Sequence, residues 1–179
     1  MSTQFNLAQL LKSTVGGTRT YDFEADEPID LDGSTATGVE GRVKFTLTNF
    51  GILASVRATA TLHLACARCL EPFTTTASVE FDAEYRPTID VQSGLPSQTI
   101  HTDSEFFITP NHVIDLTEAL REHLLLVEEI VPICRDDCRG LCPTCGTNLN
   151  VEQCGCAPAG EESPFAALRS LLVEVDAES

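Results

Sequence analysis

Residues 54–85, ASVRATATLHLACARCLEPFTTTASVEFDAEY, decide the fold. From Ala54 to Leu64 the even positions are apolar (Val56, Ala58, Ala60, Leu62, Leu64) and the odd ones mostly polar (Ser55, Arg57, Thr59, Thr61, His63). In the second half the parity reverses. Phe73, Ala77, Val79, Phe81 and Tyr85 alternate with Thr74, Thr76, Ser78, Glu80, Asp82 and Glu84. A period of two marks a strand with one buried face. The link Cys66-Ala-Arg-Cys-Leu-Glu-Pro72 is too short for a parallel crossover, so the two runs predict an antiparallel hairpin with a cysteine pair at its tip.

Working outward, Val43, Phe45 and Leu47 alternate with Arg42, Lys44, Thr46 and Thr48, which adds a third strand. Asn6-Leu7-Ala8-Gln9 resembles a helix start, with Leu7, Leu10 and Leu11 as a short apolar face before Gly16-Gly17. Residues 22–32 carry six acids and no base and read as a loop. Residues 87–112, punctuated by Pro87, Pro96 and Pro110, read as a second loop carrying a strand around Glu105-Phe-Phe-Ile108. Asp115-Leu-Thr-Glu118 has the form of a capping box. Leu116, Leu120, Leu124, Val127 and Val131 then mark one face of a long helix that Pro132 stops. Ser163-Pro164 opens a last helix with the stripe Phe165, Leu168, Leu171, Leu172 and Val175.

The expected fold is α+β: an antiparallel β-sheet or partial barrel with a long central helix, a cysteine-rich zinc-ribbon-like segment and a C-terminal helix. Residues 1–38 form an N-terminal helix or arm and an acidic loop. Residues 39–179 form the main domain, with a β-rich core plus helix at 39–133, the cysteine-rich segment at 134–157 and the last helix at 163–175.

The chain of 179 residues is long enough to bury a core without disulfides. Its first thirty residues show no basic segment followed by a long apolar run, and its densest apolar stretch, Leu124 to Val127, is flanked by Glu122, Glu128 and Glu129. The reading is a cytoplasmic protein without a signal peptide or membrane span. The formal charge of −16 disfavours unaided binding to a long nucleic-acid backbone, which needs the opposite sign.

All eight cysteines fall into close pairs: Cys66-x2-Cys69, Cys134-x3-Cys138, Cys142-x2-Cys145 and Cys154-x-Cys156. In a reducing compartment such spacings point to metal or catalysis rather than bridges. Four thiolates in a tetrahedron suit zinc, so eight sulfurs make two sites, both closed and therefore structural. In Cys142-Pro-Thr-Cys145-Gly146 the glycine stands where a metal knuckle needs a positive φ; in Cys66-Ala-Arg-Cys69 a leucine, Leu70, stands there instead. One grouping joins Cys66, Cys69, Cys134 and Cys138 and leaves Cys142, Cys145, Cys154 and Cys156 as a compact second site. The other joins Cys66 and Cys69 with Cys142 and Cys145. Arg68, Arg135 and Arg139 stand beside the sulfurs and offset their charge. Neither CxxC has the strand-to-helix setting of a thioredoxin-like pair. Iron would also accept four thiolates. His63, His101, His112 and His123 are isolated in sequence, and no phosphate loop, nucleophile elbow or His-Glu metal motif is present, so no enzyme is indicated.

These residues together resemble the YceD family, the large ribosomal RNA accumulation proteins of bacteria and plastids. The resemblance rests on Cys66-x-Arg68-Cys69-Leu70 after a β segment, Asp115-Leu116 opening a helix, Cys138-Arg-Gly-Leu-Cys142-Pro-x-Cys145-Gly-x-Asn148-Leu149-Asn150, the Cys154-x-Cys156 pair and Ser163-Pro164-Phe165. It covers roughly residues 40–172. Ser163 and Phe165 depart from the Asp and Arg that many relatives carry, and some relatives lack the distal cysteines. The resemblance implies a role in accumulation or maturation of 23S ribosomal RNA, with a precursor of the large subunit or a basic ribosomal protein as partner. Neither a membrane nor a small-molecule substrate is implied. The competing expectations are a thiol redox or RNA-processing enzyme and a generic zinc-stabilised adaptor.

Overall fold

The computed structural model describes residues 3–89 and 106–156. The expected C-terminal helix at 163–175 lies outside the described residues. The chain divides into two units, one formed by Met1–Ala65 and Pro72–Pro132, the other by Cys66–Glu71 and Ile133–Ser179.

The first unit is built mostly of strands. In chain order it contains β1 (Gln4–Asn6), α1 (Ala8–Leu11), β2 (Thr18–Glu24), β3 (Ile29–Asp30), β4 (Thr35–Leu47), β5 (Ile52–Ala65), β6 (Pro72–Pro87), β7 (Phe106–Ile108), β8 (Val113–Asp115) and α2 (Thr117–Val127). The main sheet runs β2-β4-β5-β6-β7, with β3 also on β4, and β1 pairs with β8 in a small second sheet. The hairpin is the antiparallel pair β5–β6, in register from Ile52↔Tyr85 to Ala65↔Pro72. β7 lies parallel to β6.

The parity of the sequence fixes the two faces. Val43, Phe45, Val56, Ala58, Leu62, Val79, Phe81 and Tyr85 are buried, together with Phe5, Leu7, Leu10, Leu116, Leu120 and Leu124, in one apolar cluster. The opposite face carries polar cross-strand pairs such as Asp22–Arg42 and Arg57–Glu80, each at 2.6 Å. A bulge between Thr37 and Glu40 switches the parity in β4, so that Ala36 before it and Val39, Val43 and Phe45 after it are all buried, and Gly38 supplies its positive φ of 57°.

Two expectations need correction. Much of the segment expected as an arm and acidic loop belongs to the sheet: β2 pairs with β4 from Thr18↔Thr46 to Glu24↔Glu40, and β3 adds Ile29↔Ala36. The boundary drawn at residue 38/39 falls inside β4. Acidic composition masked the alternation in which Phe23 faces inward and Asp22 and Glu24 face out.

The long central helix is the other. α2 has 11 residues and ends at Val127, with Glu128 already extended at φ −64°, ψ 131°. A proline disfavours helical geometry in the residue before it, which works against a helix running through Val131 to Pro132. The buried stripe is used up at Leu124, and Val131 is 61 % exposed. Glu128 accepts a hydrogen bond at 2.7 Å from the buried Ser34. The capping box forms only in part: Asp115 Oδ1 accepts the Thr117 N–H at 2.8 Å, while Glu118 pairs with Arg121.

Candidate metal centres

The second unit lacks an apolar core among its described residues. Its buried side chains are Cys66, Cys69, Cys138 and Cys142, and none belongs to the hydrophobic cluster of the sheet. What gathers this unit is its cysteines. All eight are free, and their sulfurs form two tetrads, Cys66, Cys69, Cys134 and Cys138, and Cys142, Cys145, Cys154 and Cys156. Within each tetrad every sulfur lies within 4.8 Å of the others. This is the first of the two groupings that the spacing left open.

The geometry suits a metal better than a bridge. Sulfurs placed about 2.3 Å from one central ion at tetrahedral angles lie about 3.8 Å apart. Cys66 and Cys138 are separated by 3.8 Å, as are Cys69 and Cys134. A disulfide needs about 2.05 Å. The residues therefore fit two tetrahedral thiolate-bound ions, and either zinc or iron is compatible with four sulfurs.

Local turns aim the sulfurs. Leu70 donates its N–H to the Cys66 carbonyl at 2.8 Å, and Gly146 donates to the Cys142 carbonyl at 2.9 Å. Both residues have positive φ, 63° and 74°. The leucine thus adopts the knuckle conformation that the glycine adopts, which is why its presence does not prevent the turn. The Leu141↔Asn148 bridge closes the distal loop as a minimal ribbon.

The metal-free tetrads divide their protons unevenly. Burial acts to raise the Cys66 thiol, but N–H groups of Cys134, Cys69 and Arg68 outweigh it and bring it down to about 6. Burial likewise opposes, and the Asn150 amide and the Gly140 N–H reverse, the shift at Cys138, which is lowered. In the same tetrad burial and the neighbouring thiols push Cys134 up to about 12. Cys69 is raised too: the Glu71 N–H opposes, but burial and the thiols of Cys66 and Cys138 prevail.

The distal tetrad repeats the division. N–H groups of Cys145 and Thr144 lower Cys142 to about 6, and bonds to Thr147 lower Cys145. Hydrogen bonding to Cys145, with burial, pushes Cys156 up to about 12. Cys154 is raised by the Cys142 thiol and burial against the Cys156 N–H.

Two of the arginines beside the sulfurs are engaged locally. Arg68 donates to the Cys138 carbonyl at 3.1 Å, and Arg135 pairs with Asp137 at 3.3 Å. The described histidines stay apart from one another. His63 bonds Thr37, His123 bonds the Ala119 carbonyl and stacks on Phe81 at 3.8 Å, and His112 occupies a turn with φ 61°. Sequence reasoning missed Asn150, whose amide reaches the Cys138 sulfur at 3.4 Å. Its place in the Asn148-Leu149-Asn150 motif was the available signal.

No helix among the described residues is long and apolar enough to cross a membrane. No solved structure matches this chain. A relative from Arabidopsis thaliana, described as "Large ribosomal RNA subunit accumulation protein YCED homolog 1, chloroplastic", is 33 % identical over 58 residues. That match covers 32 % of this chain and 18 % of the relative, so it spans under a fifth of the relative's length. The pattern of the family described as "Large ribosomal RNA subunit accumulation protein YceD" matches residues 54–172, which include the hairpin, α2 and all eight cysteines. The chain belongs to the YceD family.

Proposed function

We propose that this protein is a non-enzymatic factor in ribosome biogenesis that supports accumulation or maturation of 23S ribosomal RNA in the large subunit. The family match over residues 54–172 carries the reading. A charge of −16 favours a basic ribosomal protein, or a pre-ribosomal particle that presents one, over naked RNA as the first contact. The two tetrads hold zinc, and with four thiolates around each ion no position remains for a reacting water, so the metal is structural. Eight reduced cysteines suit the cytoplasm.

Depletion of the protein tests the role: mature 23S RNA and large subunits should fall, and normal levels of both would overturn it. Elemental analysis of the purified chain should find two zinc ions. One ion per chain, or iron, would overturn the assignment of the metal. A redox enzyme would instead show fast-reacting thiols in the metal-loaded protein, where closed sites show almost none until a chelator is added.

A further inference from the structure

The loop between the two cysteine pairs of the distal tetrad carries a motif that binding four sulfurs to an ion does not itself require, Asn148-Leu149-Asn150. Asn150 Oδ1 accepts the backbone N–H of Arg139 at 2.8 Å, which fixes the orientation of the amide. Its Nδ2 consequently points the other way, to Cys138 Sγ at 3.4 Å and Asn148 Oδ1 at 2.9 Å. Asn148 Oδ1 also accepts the Asn150 N–H at 3.0 Å, and the Leu149 N–H donates to the Gly140 carbonyl at 2.9 Å. A loop anchored at both ends in the distal tetrad therefore delivers an N–H donor to a sulfur of the proximal one.

We propose that Asn150 is a positioning residue that couples the two metal sites, so that an ion in the distal tetrad strengthens binding of the ion in the proximal tetrad. The inference rests on the reading that both tetrads bind metal. An N–H group on a thiolate ligand favours the charged sulfur over the thiol and fixes its direction, and loss of such a partner costs 10–100-fold in metal affinity. Outside its two cysteine ends the loop is held by few bonds: Thr147 accepts the Cys142 N–H at 2.8 Å, Asn148 Nδ2 donates to Glu71 at 3.4 Å, and Val151 and Glu152, both exposed, donate to the Asn148 carbonyl. Emptying the distal site frees both cysteine ends of this loop and leaves the bonds to Arg139, Gly140 and Glu71 to place Nδ2 without the metal's restraint. Because binding linkage is reciprocal, filling the proximal site strengthens the distal one by the same factor.

Zinc affinity of the proximal tetrad, read by chelator competition on the full chain, tests the coupling in four proteins: the parent, Asn150→Ala, Cys154→Ser with Cys156→Ser, and the triple variant. Asn150→Ala should weaken the proximal site by about 10–100-fold. The serine pair should weaken it similarly, and the triple variant should be no weaker than the serine pair. Asn150→Asp keeps the acceptor for Arg139 and loses the donor, so it too should weaken the site. With cobalt in place of zinc, both Asn150 variants should shift the sulfur-to-metal absorption of the proximal site with four sulfurs retained, a change that loss of loop anchoring alone would not produce.

A proximal affinity within about twofold of the parent in Asn150→Ala, where a lost outer partner costs at least tenfold, would overturn the coupling. So would additive effects in the triple variant or unshifted cobalt spectra. A parent that binds fewer than two metals would overturn the metal reading and this inference together, whereas two bound metals with an unaffected Asn150→Ala would overturn this inference alone.

Discussion

Leu70 and Gly146 share one backbone conformation, with φ 63° and 74°, each one residue after the second cysteine of a CxxC pair. A left-handed conformation costs a non-glycine residue about 1–2 kcal/mol. The Leu70 side chain is 66 % exposed and recovers little of that by packing. Leu70→Gly removes the cost and adds about 0.5–1 kcal/mol of unfolded-state entropy, so it should leave the metal-loaded protein unchanged or up to about 1 kcal/mol more stable. Gly146→Ala meets no atom within 4 Å of its new Cβ, so its cost is that of the backbone alone, about 1 kcal/mol. Urea unfolding at fixed free zinc measures both. Destabilisation by Leu70→Gly would show that the exposed leucine makes a contact the fold depends on.

Metal removal should act selectively. Among its described residues the second unit has cysteines where a domain has a core, so their hydrogen bonds depend on the sulfurs' being held together. A strong chelator should abolish hydrogen-exchange protection of the Leu141, Cys142, Gly146 and Leu149 amides, all of which bond backbone carbonyls within that unit. Amides in the register of β4 and β5, such as Val43 and Val56, should remain protected because an apolar cluster backs them. Mass-spectrometric exchange with and without chelator provides the comparison, and equal protection in both states would mean that the unit folds without metal.

The sheet was legible where burial alternates with solvent exposure, as in Val56 to Leu64, because one physical cause sets every second residue. It was illegible at β2, where Asp22 and Glu24 flank the inward Phe23 and acidity suggested a loop. The end of α2 was misjudged because Val127 and Val131 continue a helical stripe that the core does not use. Cysteine spacing identified the candidate ligands but left their grouping open, since tetrad membership depends on contacts 65 and 72 positions apart in sequence. The Asn148-Leu149-Asn150 motif marked Asn150, but its contact with Cys138 needed the fold, for an amide next to a sulfur has no spacing signature.

Tyr85 links β6 to the end of β8, just ahead of α2. Its ring is 1 % exposed and stacks on Phe106 at 5.2 Å, and its hydroxyl donates to the Asp115 carbonyl at 3.0 Å. Burial, followed by the charges of Asp115 and Glu122, holds the phenol well above its ordinary range, so it remains a donor at all physiological pH values. Tyr85→Phe keeps the ring and leaves the carbonyl without this partner, which should cost about 1–2 kcal/mol. The urea midpoint at saturating zinc should fall while the slope of the transition stays constant. No change in the midpoint would mean that water replaces the hydroxyl at Asp115.

Metal affinity should depend on pH in a way set by the uneven protonation of the tetrads. Metal binds thiolates, so any thiol still protonated must lose its proton on binding, and affinity falls as pH falls. Near pH 7 the raised pair in each site, Cys69 with Cys134 and Cys154 with Cys156, keeps its protons, while Cys66 and Cys142, at about 6, are mostly charged. Cys138 and Cys145 are lowered as well, so each ion should displace fewer protons near neutrality than the four of ordinary thiols, and the pH dependence of its affinity should be correspondingly shallower. As pH falls through about 6, Cys66 and Cys142 take up protons too, and the dependence steepens. Calorimetric titration of the metal-free chain with zinc in two buffers of different ionisation enthalpy counts the protons directly. A release of four per ion near neutrality would show that the N–H groups around Cys66 and Cys142 do not hold their thiolates, and that the tetrads are assembled only by the metal itself.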